Sequence, residues 1–501
     1  MKTAMDRLKE FPLVDGTIEA VDFVEHVTMA EPNPLKICLE DPGSYYRVTM
    51  KLHPTQQSNI TVVVCLPEPE IWNGKFLGTG NGGYAGNISE GALLGGVSRG
   101  YATANTDMGM PGDPDDCMGL EEVWADFGHR ATHRMTVVGK ALTAYFYGRE
   151  PAFSYFIGGS TGGQQGFSLA QRYPADYDGI VCLSPAFDRV RLHAFFVWNW
   201  QQIHKEKDGA FTLAQAQEWK NRLIRAYKEQ CISNTEETYL VYPDRITENP
   251  MDHPELKAAA AQVLTEGQQR ALRGIYDGPV DPVSGERIIA HFLPGTETES
   301  LSLVDMSDKE MFAHEFFYLF RWVLGKDFDF MNFDFHKDLQ IALDKLSPIL
   351  DATDPDLDAF KARGGKLLVI GGSSDAIIPY TGFLDYYNKV IEAQGSLEET
   401  KGFFRFFLMP GFGHTVGGSG VQEVGMVGAT IVPRTPQYDV ICAMEQWAEQ
   451  GIAPERLLGT HFKFGEAGLE FDYALPAYVY PKVTQFMGGD PKNPESYRPA
   501  E

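Results

Sequence analysis

No run of about 18 uninterrupted apolar residues occurs in this 501-residue chain, so no segment predicts a membrane-spanning helix. The opening residues, MKTAMDRLKEFPLVDG, lack the apolar centre of a secretory signal, and the expected location is cytoplasmic. Positive charge is scarce: 43 Lys and Arg stand against 68 Asp and Glu, a net charge of -25. Such a field repels nucleic acid and anionic membrane surfaces, which excludes both as expected partners. Cysteines at 38, 65, 117, 182, 231 and 442 include no C-x-x-C pair, so neither a zinc knuckle nor a disulfide scaffold is predicted. Cys182 and Cys442 lie in apolar stretches and read as small core residues. Internal repeats and low-complexity tracts are absent as well.

What remains is the composition of an ordinary globular protein, 43% hydrophobic and 22% charged, long enough for more than one domain. Residues 45–52 and 60–66 read as strands of a β-rich entry. From there to about residue 190 strands alternate with helices, which predicts an α/β fold with a parallel sheet. Residues 76–77 and 101–105 are strand-like, residues 130–147 form a long amphipathic helix, and 179–184 (GIVCLS) make a buried strand. Residues 190–345 break that rhythm with helical, aromatic-rich sequence, and strands resume at 366–370 (KLLVI) and 403–409 (FFRFFLM) before a closing helix near 438–450. The expected organisation is a catalytic domain in two parts, 1–189 and 346–501, with a lid domain, 190–345, inserted between them.

Residues 155–166, YFIGGSTGGQQG, place Ser160 at the centre of G-x-S-x-G directly after an apolar run. A strand that turns sharply into a helix leaves no room for Cβ atoms beside the serine, which accounts for Gly158 and Gly162 and presents the hydroxyl beside the amide of Thr161. A serine needs a base, and the base an orienting acid. Asp375, in GGSSDAIIP, lies five residues beyond KLLVI, and His414, in PGFGHTVGG, lies five beyond FFRFFLM. Both occupy carboxyl ends of predicted strands, where catalytic groups of an open α/β sheet gather, in the order Ser, acid, His. The competing acids Asp354, Asp356 and Asp358 read as flanks of a helix. His129 and His133, four apart, could be metal ligands on one helix face, but no third ligand or Glu-x-x pattern accompanies them, and they read as a packed or solvated face.

Residues 78–83, GTGNGG, fit G-x-G-x-x-G, with Asp107 some two dozen residues on, so a dinucleotide site has to be weighed. The following YAGNISEGALLGG offers no good helix to face a pyrophosphate. The other role for these glycines is an oxyanion hole, in which the amides of Gly82 and Gly83 join that of Thr161.

Several segments together resemble the tannase and feruloyl esterase family, which also includes the mono(2-hydroxyethyl) terephthalate hydrolases: WNGKFLGTGNGGYAG from Trp72, GYATANTD from Gly100, DFGHRATHRMTVVGKAL from Asp126, the elbow with AQRYPADYDGI from Ala170, ATDPDLDAFKARGGKLLVIGGSSDAIIP from Ala352, and PGFGH from Pro410. The resemblance implies an α/β-hydrolase fold with Ser160 as nucleophile, Asp375 as acid and His414 as base, and a lid that holds an aromatic acyl group. It implies a serine carboxylic ester hydrolase acting on small-molecule aromatic esters of hydroxycinnamic or gallic type, with no cofactor. Acyl transfer by the same residues and a nicotinamide oxidoreductase are the alternatives. The family's cysteines before the nucleophile and after the histidine are replaced here by Gly159 and Thr415, and the one near its C-terminal CPYP by Tyr478. Their joint loss suits a reducing compartment. The clustered aspartates that bind calcium in many relatives' lids are missing from CISNTEETYLVYPDRITENP.

Overall fold

The computed structural model describes residues 3–25, 42–231, 238–426, 432–465 and 468–500. Its frame is one sheet of nine strands. These are β1 (Gly16–Val24), β2 (Tyr45–Leu52), β3 (Ile60–Pro67), β4 (Lys75–Thr79), β5 (Ala102–Thr106), β6 (Phe153–Gly159), β7 (Gly179–Leu183), β8 (Lys366–Gly372) and β9 (Phe404–Met409). They lie in the order β1-β2-β3-β5-β4-β6-β7-β8-β9. The first four in that order pair antiparallel, and from β5 to β9 every neighbour is parallel.

Strands β7 and β8 are near-continuous apolar runs because both of their faces are covered. Alternate residues feed two separate cores. Phe156, Ile180, Cys182, Leu367 and Val369 pack with Met135, Val138 and Leu142 of helix Ala131–Tyr147 and with Phe167 of helix Thr161–Arg172. Tyr155, Ile157, Val181, Leu183, Leu368 and Ile370 pack instead with Ile441, Met444 and Trp447 of helix Val440–Gln450. Cys182 is buried as expected, whereas Cys442 is only half-buried, and Cys38 lies outside the described residues.

Between β7 and β8 the chain is helical and adds no strand to the sheet among the described residues. The boundary expected at 345/346 falls inside helix Lys337–Leu350. Several elements escaped the sequence reading, strand β1 among them. Helix Glu90–Val97 forms despite three glycines because Leu93, Leu94 and Val97 pack on Val63 and Cys65 of β3. Beyond the helix expected to close the chain come two hairpins, β10 (Arg456–Gly465) with β11 (Gly468–Tyr478) and β12 (Val483–Phe486) with β13 (Tyr497–Ala500). Tyr480 N donates to Phe406 O at 2.9 Å, which ties them to the edge strand β9.

Candidate active site

Ser160 stands between β6 and helix Thr161–Arg172 with φ 59° and ψ -117°. A side-chain-bearing residue in the left-handed region costs about 1–3 kcal/mol and persists only where its surroundings over-determine it. Here they do: Ser160 N donates to Leu183 O at 2.9 Å, and Ser160 O accepts from Gln164 N at 3.1 Å and Ala186 N at 3.0 Å. Gly158 is obligatory, since a Cβ there would lie 2.6 Å from the carbonyl carbon of Gly162. The strain lifts the hydroxyl off the sheet.

Asp375 and His414 follow β8 and β9. Asp375 is fully buried; its Oδ1 accepts from the amides of Ile377 (2.9 Å) and Ile378 (3.0 Å), and its Oδ2 accepts from His414 Nδ1 at 3.0 Å. A carboxylate can only accept, so Nδ1 carries the proton and Nε2 presents a lone pair. Ser160 and His414 both line one cavity of about 480 Å³. No hydrogen bond joins the two side chains, a contact that commonly tightens only around bound substrate. The competing acids are consumed locally: Asp354 Oδ1 accepts from Asp356 N and Asp356 Oδ1 from Asp358 N, both at 3.0 Å, at the start of helix Asp358–Ala362.

Gly82, Gly83 and Thr161 line the same cavity. The GTGNGG loop is fastened to the elbow: Gly162 N donates to Asn81 O at 2.8 Å and Asn81 N to Gln165 Oε1 at 2.9 Å. A Cβ on Gly80 would lie 2.6 Å from the Cα of Gly162. These glycines therefore serve backbone-to-backbone packing against the serine turn, and the dinucleotide reading loses its motif.

The family model of tannase and feruloyl esterase matches residues 46–500. The chain belongs to the tannase and feruloyl esterase family. It is 31% identical over 478 residues to an esterase of Xanthomonas campestris, covering 89% of this chain and 82% of that one. It is 30% identical over 506 residues to feruloyl esterase B of Aspergillus niger, covering 97% and 93%. Among solved structures, feruloyl esterase B from Aspergillus oryzae superposes with a TM-score of 0.86 at 25% identity, covering 99% of this chain and all of that one. An Aspergillus oryzae esterase gives 0.85 at 27% identity, with the same coverage. The fold is accordingly the α/β-hydrolase fold, and the chain is a carboxylic ester hydrolase.

The family's missing bridge has a clear footprint. A Cβ built on Gly159 would lie 3.1 Å from Cβ and 2.7 Å from Cγ2 of Thr415, so the methyl of Thr415 fills the space beside the elbow where the family resemblance implies a disulfide. Cys65, Cys117, Cys182, Cys231 and Cys442 are free thiols. His129 and His133 are committed elsewhere: Nδ1 of His129 meets the Tyr173 hydroxyl at 2.7 Å, and Nδ1 of His133 meets Asp176 Oδ2 at 2.8 Å. Burial pushes the His129 pKa down to about 4. Among the described residues no cluster of three or more metal-ligating side chains occurs.

The sequence reading missed one face of helix Arg189–His204. Arg189, Leu192, His193 and Phe196 recur at helical spacing and all line the cavity. Arg189 is only 4% exposed, and no carboxylate among the described residues pairs with it. Its Nη1 donates to Thr161 Oγ1 (2.8 Å) and Gln164 Oε1 (3.3 Å), its Nη2 to Gly83 O (3.0 Å) and the Tyr318 hydroxyl (2.5 Å). One guanidinium thus grips both the residue after Ser160 and the glycine loop. The spacing R-x-x-L-H-x-x-F was the available signal, but it reads equally well as a core stripe. Ser419 of the His414 loop donates to Glu299 Oε1 at 2.8 Å, and Lys220 Nζ donates to the same atom at 2.6 Å, tying that loop to the helical insertion.

Proposed function

We propose that this esterase cleaves esters of aromatic acids through an acyl-enzyme, with Ser160 as nucleophile, His414 as general base and Asp375 as its orienting acid. The observation that carries this reading is the convergence, in one cavity, of the left-handed serine, the Asp375-paired imidazole and an aromatic wall of Phe196, Phe316 and Tyr318. Nε2 of His414 takes the Ser160 proton as the hydroxyl attacks the ester carbonyl, and Asp375 holds the imidazolium that forms. The amides of Thr161, Gly82 and Gly83 receive the oxyanion. The imidazolium returns its proton to the departing alcohol, and a water activated by the same histidine then releases the acid. The insertion 190–345 acts as the lid that supplies the slot for the ring. Free buried thiols and the absent bridge beside the elbow support a cytoplasmic setting.

Incubation with methyl ferulate, methyl gallate and p-nitrophenyl acetate, with products identified by mass, tests the reading. Ester turnover should fall about 10⁴-fold or more in Ser160→Ala and His414→Ala. A folded Ser160→Ala protein retaining a tenth of the activity would remove Ser160 from its role.

A further inference from the structure

His193 is 2% exposed, and its Nδ1 lies 2.7 Å from Phe316 O. A carbonyl only accepts, so Nδ1 bears the hydrogen. Burial, reinforced by the charges of Arg189 and Arg321, drives the pKa of this imidazole well below its ordinary value. The ring is neutral at physiological pH, and its Nε2 is a bare acceptor. That nitrogen has no hydrogen-bond partner among the described residues, and His193 lines the cavity that also holds Ser160.

The walls around it are aromatic. Tyr318 and Phe196 meet the imidazole edge to face, with centroids 5.2 and 5.5 Å away. The competing polar groups are few. The Tyr318 hydroxyl already accepts from Arg189, and Glu315 reaches the cavity from its exposed rim. An unpaired acceptor in an apolar slot is costly until a donor arrives. A ligand held in the same cavity can bring that donor.

We infer that His193 Nε2 accepts a hydrogen bond from a hydroxyl on the aromatic ring of the acyl group, making His193 the residue that selects phenolic over unsubstituted or O-methylated acids. This deepens the aromatic-ester reading of the same cavity and rests on it. The ring hydroxyl donates, the imidazole keeps its Nδ1 hydrogen on Phe316, and no proton need be transferred. Arg189 and His193, one helical turn apart, then divide the labour on one face: the first fixes the glycine loop, the second reads the ring.

The test compares kcat/KM for methyl esters of 4-hydroxycinnamic, 3-hydroxycinnamic, 4-methoxycinnamic and cinnamic acid. Wild type should prefer one hydroxylated ester over the cinnamate ester by roughly 10- to 100-fold, the scale of one unmade buried hydrogen bond. In His193→Phe that preference, read as the ratio of kcat/KM values within the one variant, should fall to within about threefold. His193→Gln, which keeps an acceptor, should restore part of it. Discrimination that survives in His193→Phe, or that disappears in Glu315→Gln instead, would overturn the assignment. Failure to hydrolyse any of the four esters would sink the aromatic-ester reading itself, a separate outcome.

Discussion

Replacing Arg189 with Met should separate catalysis from stability. The guanidinium is buried without a carboxylate among the described residues, and such a charge carries a desolvation penalty of several kcal/mol. Its four hydrogen bonds, to Thr161, Gln164, Gly83 and Tyr318, offset a penalty of that size at about 1.5–3 kcal/mol each at best. Methionine fills much of the same length without the charge. Of the orphaned acceptors, Gly83 O still receives the Thr161 hydroxyl at 2.5 Å, and the hydroxyls of Thr161 and Tyr318 can turn. The two contributions should cancel to within about 2 kcal/mol, a melting shift of a few degrees. Catalysis has no such compensation. Thr161 and Gly83 carry two of the proposed oxyanion donors, and outright loss of one donor costs about 10²–10³ in kcat. Loosening rather than deletion should cost about 10- to 100-fold, with KM little changed, because the defect is felt where negative charge develops. Steady-state kinetics on methyl ferulate, with a melting curve on the same preparation, measure both. Arg189→Lys, with one donor head in place of a fork, should fall between the two. The reasoning fails if Arg189→Met keeps kcat within about threefold of wild type, or if its activity loss merely follows unfolding.

Two further outcomes follow from particular contacts. The pair Gly159→Cys with Thr415→Cys should oxidise to a disulfide after a small outward adjustment from the present 3.1 Å between the built Cβ and that of Thr415, raising stability by about 2–4 kcal/mol. A mass loss of two hydrogens and a dithiothreitol-sensitive melting temperature would report it, persistent free thiols would refute it, and wild type should ignore reductant. Asp351, whose Oδ1 accepts from Val190 N at 3.0 Å, has its pKa pushed up to about 7 by burial and by neighbouring Asp188. A raised carboxyl contributes stability that is fully present below its unfolded value near 3.8 and lost as pH rises to about 7. Asp351→Asn should therefore gain in melting temperature over wild type more at pH 7.5 than at pH 5, and an equal difference at both would contradict that ionisation.

Chain-local chemistry determined a great deal. G-x-S-x-G after an apolar run located the elbow because a tight strand-to-helix turn constrains only its own neighbours, and Gly158 shows that constraint in the structure. Asp375 and His414 were legible because each follows its strand within a few residues, and strand ends of a parallel sheet share one edge. Tertiary structure alone decided which side chains face one another across long sequence separations. Arg189 and His193 sit in an ordinary amphipathic helix whose periodicity reports a buried face without saying whether it meets core, loop or cavity. Glu90–Val97 became a helix through the packing of its leucines, against its glycine content. The C-terminal hairpins were hidden because β10 and β11 expose Phe464 and Phe471 and lack clean alternation. Cys442 looked like core by composition and is only half-buried. The contact of Gly159 with Thr415 depends on β6 and β9 being brought to the same end of the sheet through β7 and β8, a juxtaposition set by the order of strands and carried by no local pattern.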